Sequence, residues 1–295
     1  MNNSTLLLGF PEYHLQAVRL AEASELPYAE VNIHRFPDGE SKITLPVDLP
    51  KHIIICRSLN EPNEKLIELF MVAANLRKQG IKTISLVSPY LCYMRQDKAF
   101  HPGEIISQTI IGDMLASYFD NVLTIDAHLH RISKLSQAIP VEHAINVNAT
   151  EPMAHFIQEN ITHPFLVGPD GESKQWVSDI ASHYKMDYSI ATKKRLGDTI
   201  VKVSLSKAEY ENRNIILVDD VASTGKTLIA AAKELAKYSP ASISVLVTHA
   251  MFIGSAIAEL EQENVKNIWS CDSIPHHTNA VFLANFLAKS VKGFL

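Results

Sequence analysis

Cysteine is scarce in this sequence. The 295 residues include three cysteines, Cys56, Cys92 and Cys271, and no two of them form a Cys-x-x-Cys pair. A zinc ribbon or a redox dithiol is therefore not expected. The odd count also argues against a secreted disulfide framework.

An excess of basic residues and a long apolar run are both absent. Lys and Arg number 27 against 32 Asp and Glu, a formal net charge of −5, which gives no reason to expect a general nucleic-acid binder. No apolar run reaches the roughly 18 residues of a membrane span. The start, MNNSTLLLGF, lacks the basic and apolar regions of a signal peptide. We expect a cytoplasmic protein with neither nucleic acid nor membrane as a partner.

What the sequence does contain is an alternation of short apolar runs and longer helical patterns, in a chain that is 46% apolar. This alternation predicts an α/β fold with parallel sheets. The strand count is high for one sheet and divides near residues 140–150, so we predict two α/β domains, 1–145 and 146–295. Predicted strands are Thr5–Phe10, Ile53–Ile55, Thr83–Ser88, Asn121–Ile125, Pro164–Gly168, Tyr188–Ile190, Asn214–Val218, Ser242–Thr248 and Asn267–Ser270. Predicted helices are Pro62–Gln79, Ile106–Tyr118, Glu151–Glu159, Lys174–Tyr184, Thr227–Tyr238 and Gly254–Glu263.

The segment IILVDDVASTGKTL, residues 215–228, carries the clearest chemical signal. Two acids, Asp219 and Asp220, follow a predicted strand, and a loop of small residues then opens a predicted helix. Ligands of open α/β sheets lie at strand carboxyl ends, and a helix N-terminus binds phosphate. Adjacent carboxylates repel phosphate but suit polyol hydroxyls or a cation. The segment therefore predicts a sugar-phosphate site.

Two other interpretations of this segment are possible. The Gly225–Thr227 tripeptide, GKT, is part of a P-loop pattern, but that pattern needs a glycine where this chain has Asp220. A plain βα turn with helix-capping aspartates is the structural alternative.

Two polar segments of the N-terminal half could bind a nucleotide. One is the turn FPDGE, residues 36–40, and the other is RQDK, residues 95–98. Arg95 offers a planar cationic fork for phosphate or a purine face, and Gln96 can both donate to and accept from an adenine edge. A surface turn and a charged loop are the plain alternatives.

Three further segments carry acids, histidines or bases beside predicted strands. In DAHLH, Asp126, His128 and His130 alternate and would share one face if the chain remained extended. This pattern suits a divalent cation or a simple Asp–His hydrogen bond. VGPD places Asp170 after another strand, and the basic run KKR follows at residues 193–195.

Taken in order, these segments resemble ribose-phosphate pyrophosphokinase along nearly the whole chain. LVDDVASTGKT looks like the phosphoribosyl-diphosphate (PRPP) signature that this family shares with type I phosphoribosyltransferases. The resemblance implies two tandem type I phosphoribosyltransferase-like domains, each a mainly parallel sheet flanked by helices. It also implies transfer of the diphosphoryl group of ATP to the 1-hydroxyl of ribose 5-phosphate, giving PRPP and AMP, with Mg²⁺ as cofactor.

The resemblance also implies a role for each matching residue. Lys193 and Arg195 would be catalytic, on a mobile loop, and His128 and Asp170 would be metal ligands. ATP would be bound by Asp38, Gly39, Glu40, Arg95, Gln96 and Asp97. Ribose 5-phosphate would be bound by Asp219, Asp220, Ser223, Thr224, Gly225, Lys226 and Thr227. A homo-oligomer, a dimer or hexamer that shares its ATP site between subunits, is the expected assembly.

The chain departs from the family pattern at a few positions. Lys226 stands where the synthetase usually has glycine, and Ser223 where many members have aspartate. Two alternative functions are a phosphoribosyltransferase that consumes PRPP and a catalytically silent regulatory paralogue. The full set of acidic, basic and histidine residues speaks against the silent form, which has no chemical need for it.

Overall fold

The chain forms two compact units in this computed structural model, which describes residues 5–129, 131–195 and 201–295. The first unit ends at Asn148 and includes Leu283–Leu295, and the second is Ala149–Phe282. For Lys194, Arg195 and Val201 only the backbone is described. No helix in these described ranges is both long and apolar enough to cross a membrane.

The first unit is built on a parallel sheet. Its elements are β1 Thr5–Gly9, α1 His14–Ser24, β2 Tyr28–Glu30, β3 Asn32–Arg35, β4 Ser41–Thr44, β5 His52–Cys56, α2 Pro62–Lys78, β6 Thr83–Val87, α3 Ser107–Ala116, β7 Asn121–Ile125 and β8 His143–Val147. In the described residues, six strands form this sheet in the order β2-β1-β5-β6-β7-β8, with every neighbouring pair parallel. Strands β3 and β4 form a separate antiparallel hairpin.

The second unit contains another parallel sheet. Its elements are α4 Thr150–Asn160, β9 Pro164–Gly168, α5 Lys174–Tyr184, β10 Asp187–Ile190, β11 Thr192–Arg195, β12 Val201–Ser204, β13 Asn214–Ala222, α6 Lys226–Leu235, β14 Ser242–Ala250, α7 Ala256–Gln262, β15 Val265–Cys271 and β16 Asn279–Val281. The six strands described in this sheet follow the order β10-β9-β13-β14-β15-β16, again parallel throughout. Strands β11 and β12 pair as an antiparallel hairpin.

The central strands form because they are apolar and are covered on both faces. β5 reads HIIIC and β13 begins NIILV, and the apolar side chains of both are buried. Continuous apolar runs of this kind are typical of strands in parallel sheets. Each unit has its own hydrophobic core. The predicted α/β class with two mainly parallel sheets flanked by helices is confirmed.

The same topology occurs twice. In each unit the first strand of the chain lies second in the sheet, an antiparallel hairpin follows the second strand, and the next long strand returns beside the first. No short-period repeat in the sequence predicts this duplication. The strand ends and the hairpin of one unit therefore have counterparts in the other.

The last helix, α8 Ala284–Val291, belongs to the first unit because it packs against α1. The sequence prediction placed residues up to 295 in a C-terminal domain. The end of the chain is instead grouped with residues that precede Asn148.

Candidate active site

The two adjacent acids of the second unit lie inside the end of β13. The sequence predicted that this strand ends at Val218, whereas the strand continues to Ala222 because pairing with β14 persists to Ala222 and Ala250. Asp219 is half-buried and Asp220 is buried. A P-loop would need a flexible glycine at residue 220, and this position is part of a strand.

The loop after β13 leads directly into α6. Gly225 is the N-cap of the helix, with a left-handed φ of 68°, and Lys226 is the first helical residue. The predicted helix begins one residue later, at Thr227. It extends to Tyr238 and therefore includes the short 3₁₀ turn that follows α6. The loop is held in place because the backbone N–H of Ile253 donates to the carbonyl of Ser223 at 2.9 Å. The free N–H groups of the first helical turn make this a suitable place for an anion.

Lys226 is exposed at the positive end of the α6 dipole. A cation at a helix N-terminus is electrostatically unfavourable, by about 0.3–1 kcal/mol. A bound phosphate would reverse the sign of that interaction. Lys226 therefore fits a loop that carries an anion during function.

Asp170 and Lys193 lie together at the same edge of the sheet, although 23 residues separate them in the sequence. Asp170 follows β9, and its Oδ1 accepts hydrogen bonds from the backbone N–H groups of Glu172 and Ser173, at 3.0 and 3.3 Å. Lys193, in β11, donates from Nζ to Oδ2 of Asp170 at 2.8 Å. Both side chains are mostly buried, so the pair is poorly screened by solvent.

The surroundings of Asp219 raise its proton affinity. Burial, followed by the negative charges of Asp220 and Asp170, raises the pKa of Asp219 well above its usual range. The ammonium of Lys193 and a hydrogen bond from the backbone N–H of Asp220 act in the opposite direction. The edge is therefore short of positive charge, which favours a cation or hydroxyl donors as ligands.

The residues predicted to hold a metal fall in different units. His128 is half-buried in the first unit, and Asp170 lies in the second. After β7 the chain does not stay extended, because Asp126 has a φ of 42°, so the condition for Asp126 and His128 to share one face of an extended strand is not met. His130 lies outside the described residues.

Across the three described ranges, no group of three or more His, Cys, Asp or Glu side chains could hold a metal on its own. Mg²⁺ commonly takes one or two protein carboxylates, several waters and the phosphates of a substrate, so it does not require such a group. The acidic side chains of Asp170 and Asp219 are suitable for Mg²⁺ that is bound in this way.

The basic run 193–195 lies in a strand of the β11–β12 hairpin. Lys193 pairs across the hairpin with Val203, and Arg195 pairs with Val201. The side chain of Arg195, a predicted catalytic residue, lies outside what the structure describes, as do residues 196–200 of the predicted loop.

The FPDGE turn of the first unit lies at the tip of the β3–β4 hairpin. Asp38, Gly39 and Glu40 are all exposed. The turn is closed by hydrogen bonds from the N–H of Phe36 to the carbonyl of Glu40, at 2.8 Å, and from the N–H of Gly39 to the carbonyl of Phe36, at 2.9 Å. Gly39 has a φ of 93°, which suits glycine.

The other predicted ATP-binding residues lie in the loop between β6 and α3. The side-chain amide of Gln96 donates to the carbonyl of Lys98 at 3.0 Å and to Glu104 at 3.2 Å. Asp97 accepts from Nη1 of Arg131 at 2.5 Å, and Arg95 is exposed. Sequence reasoning missed Arg131, because nothing in the local pattern links it to a residue 34 positions earlier.

A buried charge network in the first unit was also missed. Arg57 and Glu68 are each 1% exposed and are paired through Nη2 and Oε2 at 2.5 Å. The signal that could have found them is an arginine directly after an apolar strand, because such a position is buried and the charge needs a partner.

A family model described as the N-terminal domain of ribose phosphate pyrophosphokinase matches residues 7–118, and a phosphoribosyl transferase domain matches residues 141–289. A ribose-phosphate pyrophosphokinase of Saccharolobus solfataricus is 30% identical over 86% of this chain and 88% of its own. One from Methanopyrus kandleri is 29% identical over 93% and 94% of the two chains.

A crystal structure of phosphoribosylpyrophosphate synthetase from Mycobacterium smegmatis has the same fold. It superposes with a TM-score of 0.85, covers 99% of this chain and 98% of its own, and is 18% identical. Together with the strand order and the full-length relatives, these matches show that the chain belongs to the ribose-phosphate pyrophosphokinase family and is a diphosphotransferase enzyme.

Proposed function

We propose that this enzyme binds ribose 5-phosphate at the edge formed by β9, β13 and the N-terminus of α6, and transfers the diphosphoryl group of ATP to it. The observation that supports this proposal most directly is the grouping of Asp170, Lys193, Asp219 and Asp220 in one unit. Carboxylates that are short of positive charge suit sugar hydroxyls, and the adjacent helix start suits phosphate.

In the proposed reaction the sugar hydroxyl is the nucleophile. The 1-hydroxyl loses its proton to solvent, its oxygen forms a bond to the β-phosphorus of ATP, and the bond between that phosphorus and the oxygen of AMP breaks. Such a transfer depends on positioning and on neutralising charge rather than on a covalent side-chain intermediate.

Each residue of the edge has a proposed task. Asp219 and Asp220 accept hydrogen bonds from ribose hydroxyls, which orient the 1-hydroxyl. The 5-phosphate is bound by the loop and first helical turn, residues Ser223, Thr224, Gly225, Lys226 and Thr227. Lys193 and Arg195 stabilise the negative charge of the transferring group.

His128 and Asp170 are each proposed as a Mg²⁺ ligand, as the resemblance to the family implies. When bound, Mg²⁺ supplies positive charge to the phosphates of ATP. The ion pair of Asp170 with Lys193 supports this proposal, because it places a cationic group against that carboxylate.

ATP is proposed to bind to residues of the first unit. They are Asp38, Gly39, Glu40, Arg95, Gln96 and Asp97, and the first three would come from a neighbouring subunit of a homo-oligomer, a dimer or hexamer. The exposed hairpin tip is consistent with a contribution to a site outside its own subunit.

A direct assay tests the proposal. Purified protein is mixed with ATP, Mg²⁺ and ribose 5-phosphate, and AMP and PRPP are followed by chromatography. We expect equal amounts of both products and no AMP without the sugar phosphate. Release of diphosphate from PRPP and a base would indicate a phosphoribosyltransferase, and folded protein that gives neither reaction would indicate a silent paralogue.

A further inference from the structure

The β3–β4 hairpin is attached to α2 at the last residue pair before its tip. Arg35 and Ser41 are cross-strand partners, and residues 36–40 form the turn between them. The hydroxyl of Ser41 donates to Oε1 of Glu68 at 2.7 Å. The guanidinium of Arg35 contacts the carboxylate of Glu64 and lies 3.7 Å from the same Oε1 of Glu68. Both strands of the hairpin base therefore meet one carboxylate.

Glu68 is itself fixed from the opposite side. Its Oε2 accepts from Nη2 of Arg57 at 2.5 Å, and Nε of Arg57 donates to Glu12 at 2.6 Å. Another nitrogen of the guanidinium, Nη1, donates to the carbonyl of Lys65 at 2.9 Å, and its face lies 3.8 Å from the ring centre of Phe10. Arg57 directly follows β5, and Phe10 directly follows β1. The hairpin base is thus connected to the carboxyl ends of β1 and β5, which are neighbours in the sheet.

The stability of the fold does not by itself explain why Arg57 and Glu68 form a buried ion pair. Removing two charges from water is costly, and replacing a buried pair by apolar residues is often neutral or stabilising. Burial acts to raise the pKa of Glu68, but hydrogen bonds from Ser41 and Arg57 and the charges of Arg57 and Arg35 outweigh it and lower the pKa. Glu68 is therefore a charged, fully engaged acceptor at neutral pH, which makes its contacts strongly directional.

The second unit offers an independent parallel. There the corresponding hairpin, β11–β12, is also tied by a basic residue of its first strand, Lys193, to a carboxylate at the strand ends, Asp170. In each unit a basic residue of the hairpin's first strand thus contacts a carboxylate, which lies in α2 in the first unit and after β9 in the second.

We propose that Glu68 is a positioning residue for ATP: through Ser41 and Arg35 it fixes the hairpin whose tip carries Asp38, Gly39 and Glu40. This inference rests on the proposed ATP-binding role of that tip. The turn is closed by its own hydrogen bonds, so it moves together with its base. Displacement of the Arg35–Ser41 pair therefore displaces the whole tip.

The sharpest test is Ser41→Ala, which removes one hydrogen bond to Glu68 and leaves the buried ion pair intact. We expect the KM for ATP to rise about five-fold, the scale of one lost hydrogen bond, with the KM for ribose 5-phosphate unchanged and the Tm lowered by no more than about 4 °C. Amide hydrogen exchange of residues 36–41, measured without substrate, should be faster. Ser41→Thr keeps the hydroxyl and should restore both values.

A matched control is available on the same helix. Arg77, in the last turn of α2, donates to Asp120 at 2.8 Å, in a contact that does not involve the hairpin. Arg77→Gln should leave the KM for ATP and the exchange of residues 36–41 as in the wild type. Equal effects of Arg77→Gln and Ser41→Ala would overturn the proposed positioning role.

The outcomes separate this inference from the proposed function. Wild-type protein that releases no AMP from ATP and ribose 5-phosphate refutes the proposed function, and with it the assignment of the hairpin to ATP. Active wild type together with a Ser41→Ala variant of unchanged KM and unchanged exchange refutes only the positioning role. A parallel rise in the KM of both substrates with a lower Tm also refutes it, because that pattern indicates general loss of structure.

Discussion

Among the residues of the candidate site, Asp219 carries the charge that most clearly destabilises the ligand-free protein. Its carboxylate is held near Asp220 and Asp170 in a half-buried position, and Lys193 offsets only part of the repulsion. Binding sites often contain such unfavourable charge, because the ligand relieves it. The residue should therefore show opposite effects on stability and on binding.

We predict that Asp219→Asn stabilises the ligand-free protein at neutral pH and weakens ribose 5-phosphate binding. The raised pKa keeps this carboxyl protonated in the folded state at a pH where the unfolded chain has already ionised. The cost is absent at acid pH below the unfolded pKa, grows as the pH rises from there to the folded pKa, and is constant above it. A gain of about 1 kcal/mol would raise Tm by roughly 2–4 °C.

Thermal unfolding between pH 4 and 8 and calorimetric titration with ribose 5-phosphate measure the two effects. Asp187→Asn is the control, because Asp187 is exposed and paired with Arg213 at 2.8 Å. It should give no gain in stability and no loss of binding. A lower Tm for Asp219→Asn at pH 8 would contradict the charge argument.

Lys193→Ala should reduce turnover rather than sugar binding. An ammonium that neutralises charge mainly in the transition state affects kcat, so we expect a fall on the order of 100-fold or more. The Kd of ribose 5-phosphate should change little. Lys202→Ala is the control, because Lys202 is exposed on the other strand of the same hairpin. A raised KM with intact turnover would assign Lys193 to binding instead.

At the scale of elements, the proposed sugar-phosphate site depends on how α6 begins. Gly225 has a φ of 68°, and a Cβ at this position would lie 3.2 Å from the Cβ of Ala256. Both the backbone conformation and the tight contact therefore favour glycine, and they set the direction of the first helical N–H groups.

We predict that Gly225→Ala costs about 1–2 kcal/mol of stability, the usual penalty of a left-handed alanine, and strongly weakens ribose 5-phosphate binding. Gly80→Ala is the matched control. Gly80 has a φ of 83° in the first unit, and nothing lies within 4 Å of its added Cβ. It should lose similar stability and keep normal binding, so calorimetric titration of both variants isolates the helix start. Normal binding by Gly225→Ala would contradict the proposed phosphate loop.

The elements that could be predicted from the sequence are those with long, regular apolar patterns. The bounds of β7, β9 and α5 agree with the prediction to the residue. Strands β3 and β4 were missed because they are short and largely exposed, so apolar periodicity is weak there. Helix α8 was missed in the same way, since its eight residues span little more than two turns.

The site shows the same limit. Order and spacing of motifs pointed to Asp219, Asp220 and the loop after them, because a strand–loop–helix is a local pattern. The contact of Lys193 with Asp170 and that of Arg57 with Glu12 join residues 23 and 45 positions apart. Such pairs follow from the strand order, which local periodicity does not specify.

At the scale of the whole molecule, the two units are not two consecutive segments of the sequence. Residues 283–295 follow the second unit in sequence but belong to the first, through the packing of α8 on α1. Leu287 is 3% exposed and Val291 is fully buried. The first unit therefore includes packed residues that follow the second unit in the sequence.

Leu287→Ala should accordingly destabilise the first unit, although Leu287 lies beyond the whole second unit in sequence. A buried leucine truncated to alanine typically costs about 2–4 kcal/mol. Hydrogen exchange followed by mass spectrometry should show faster exchange in α1 and β1, while β13 and β14 keep wild-type protection. Leu260→Ala is the matched control, because Leu260 is fully buried in α7 of the second unit, and it should give the reverse pattern. Increased exchange confined to the second unit in Leu287→Ala would show that α8 supports that unit instead.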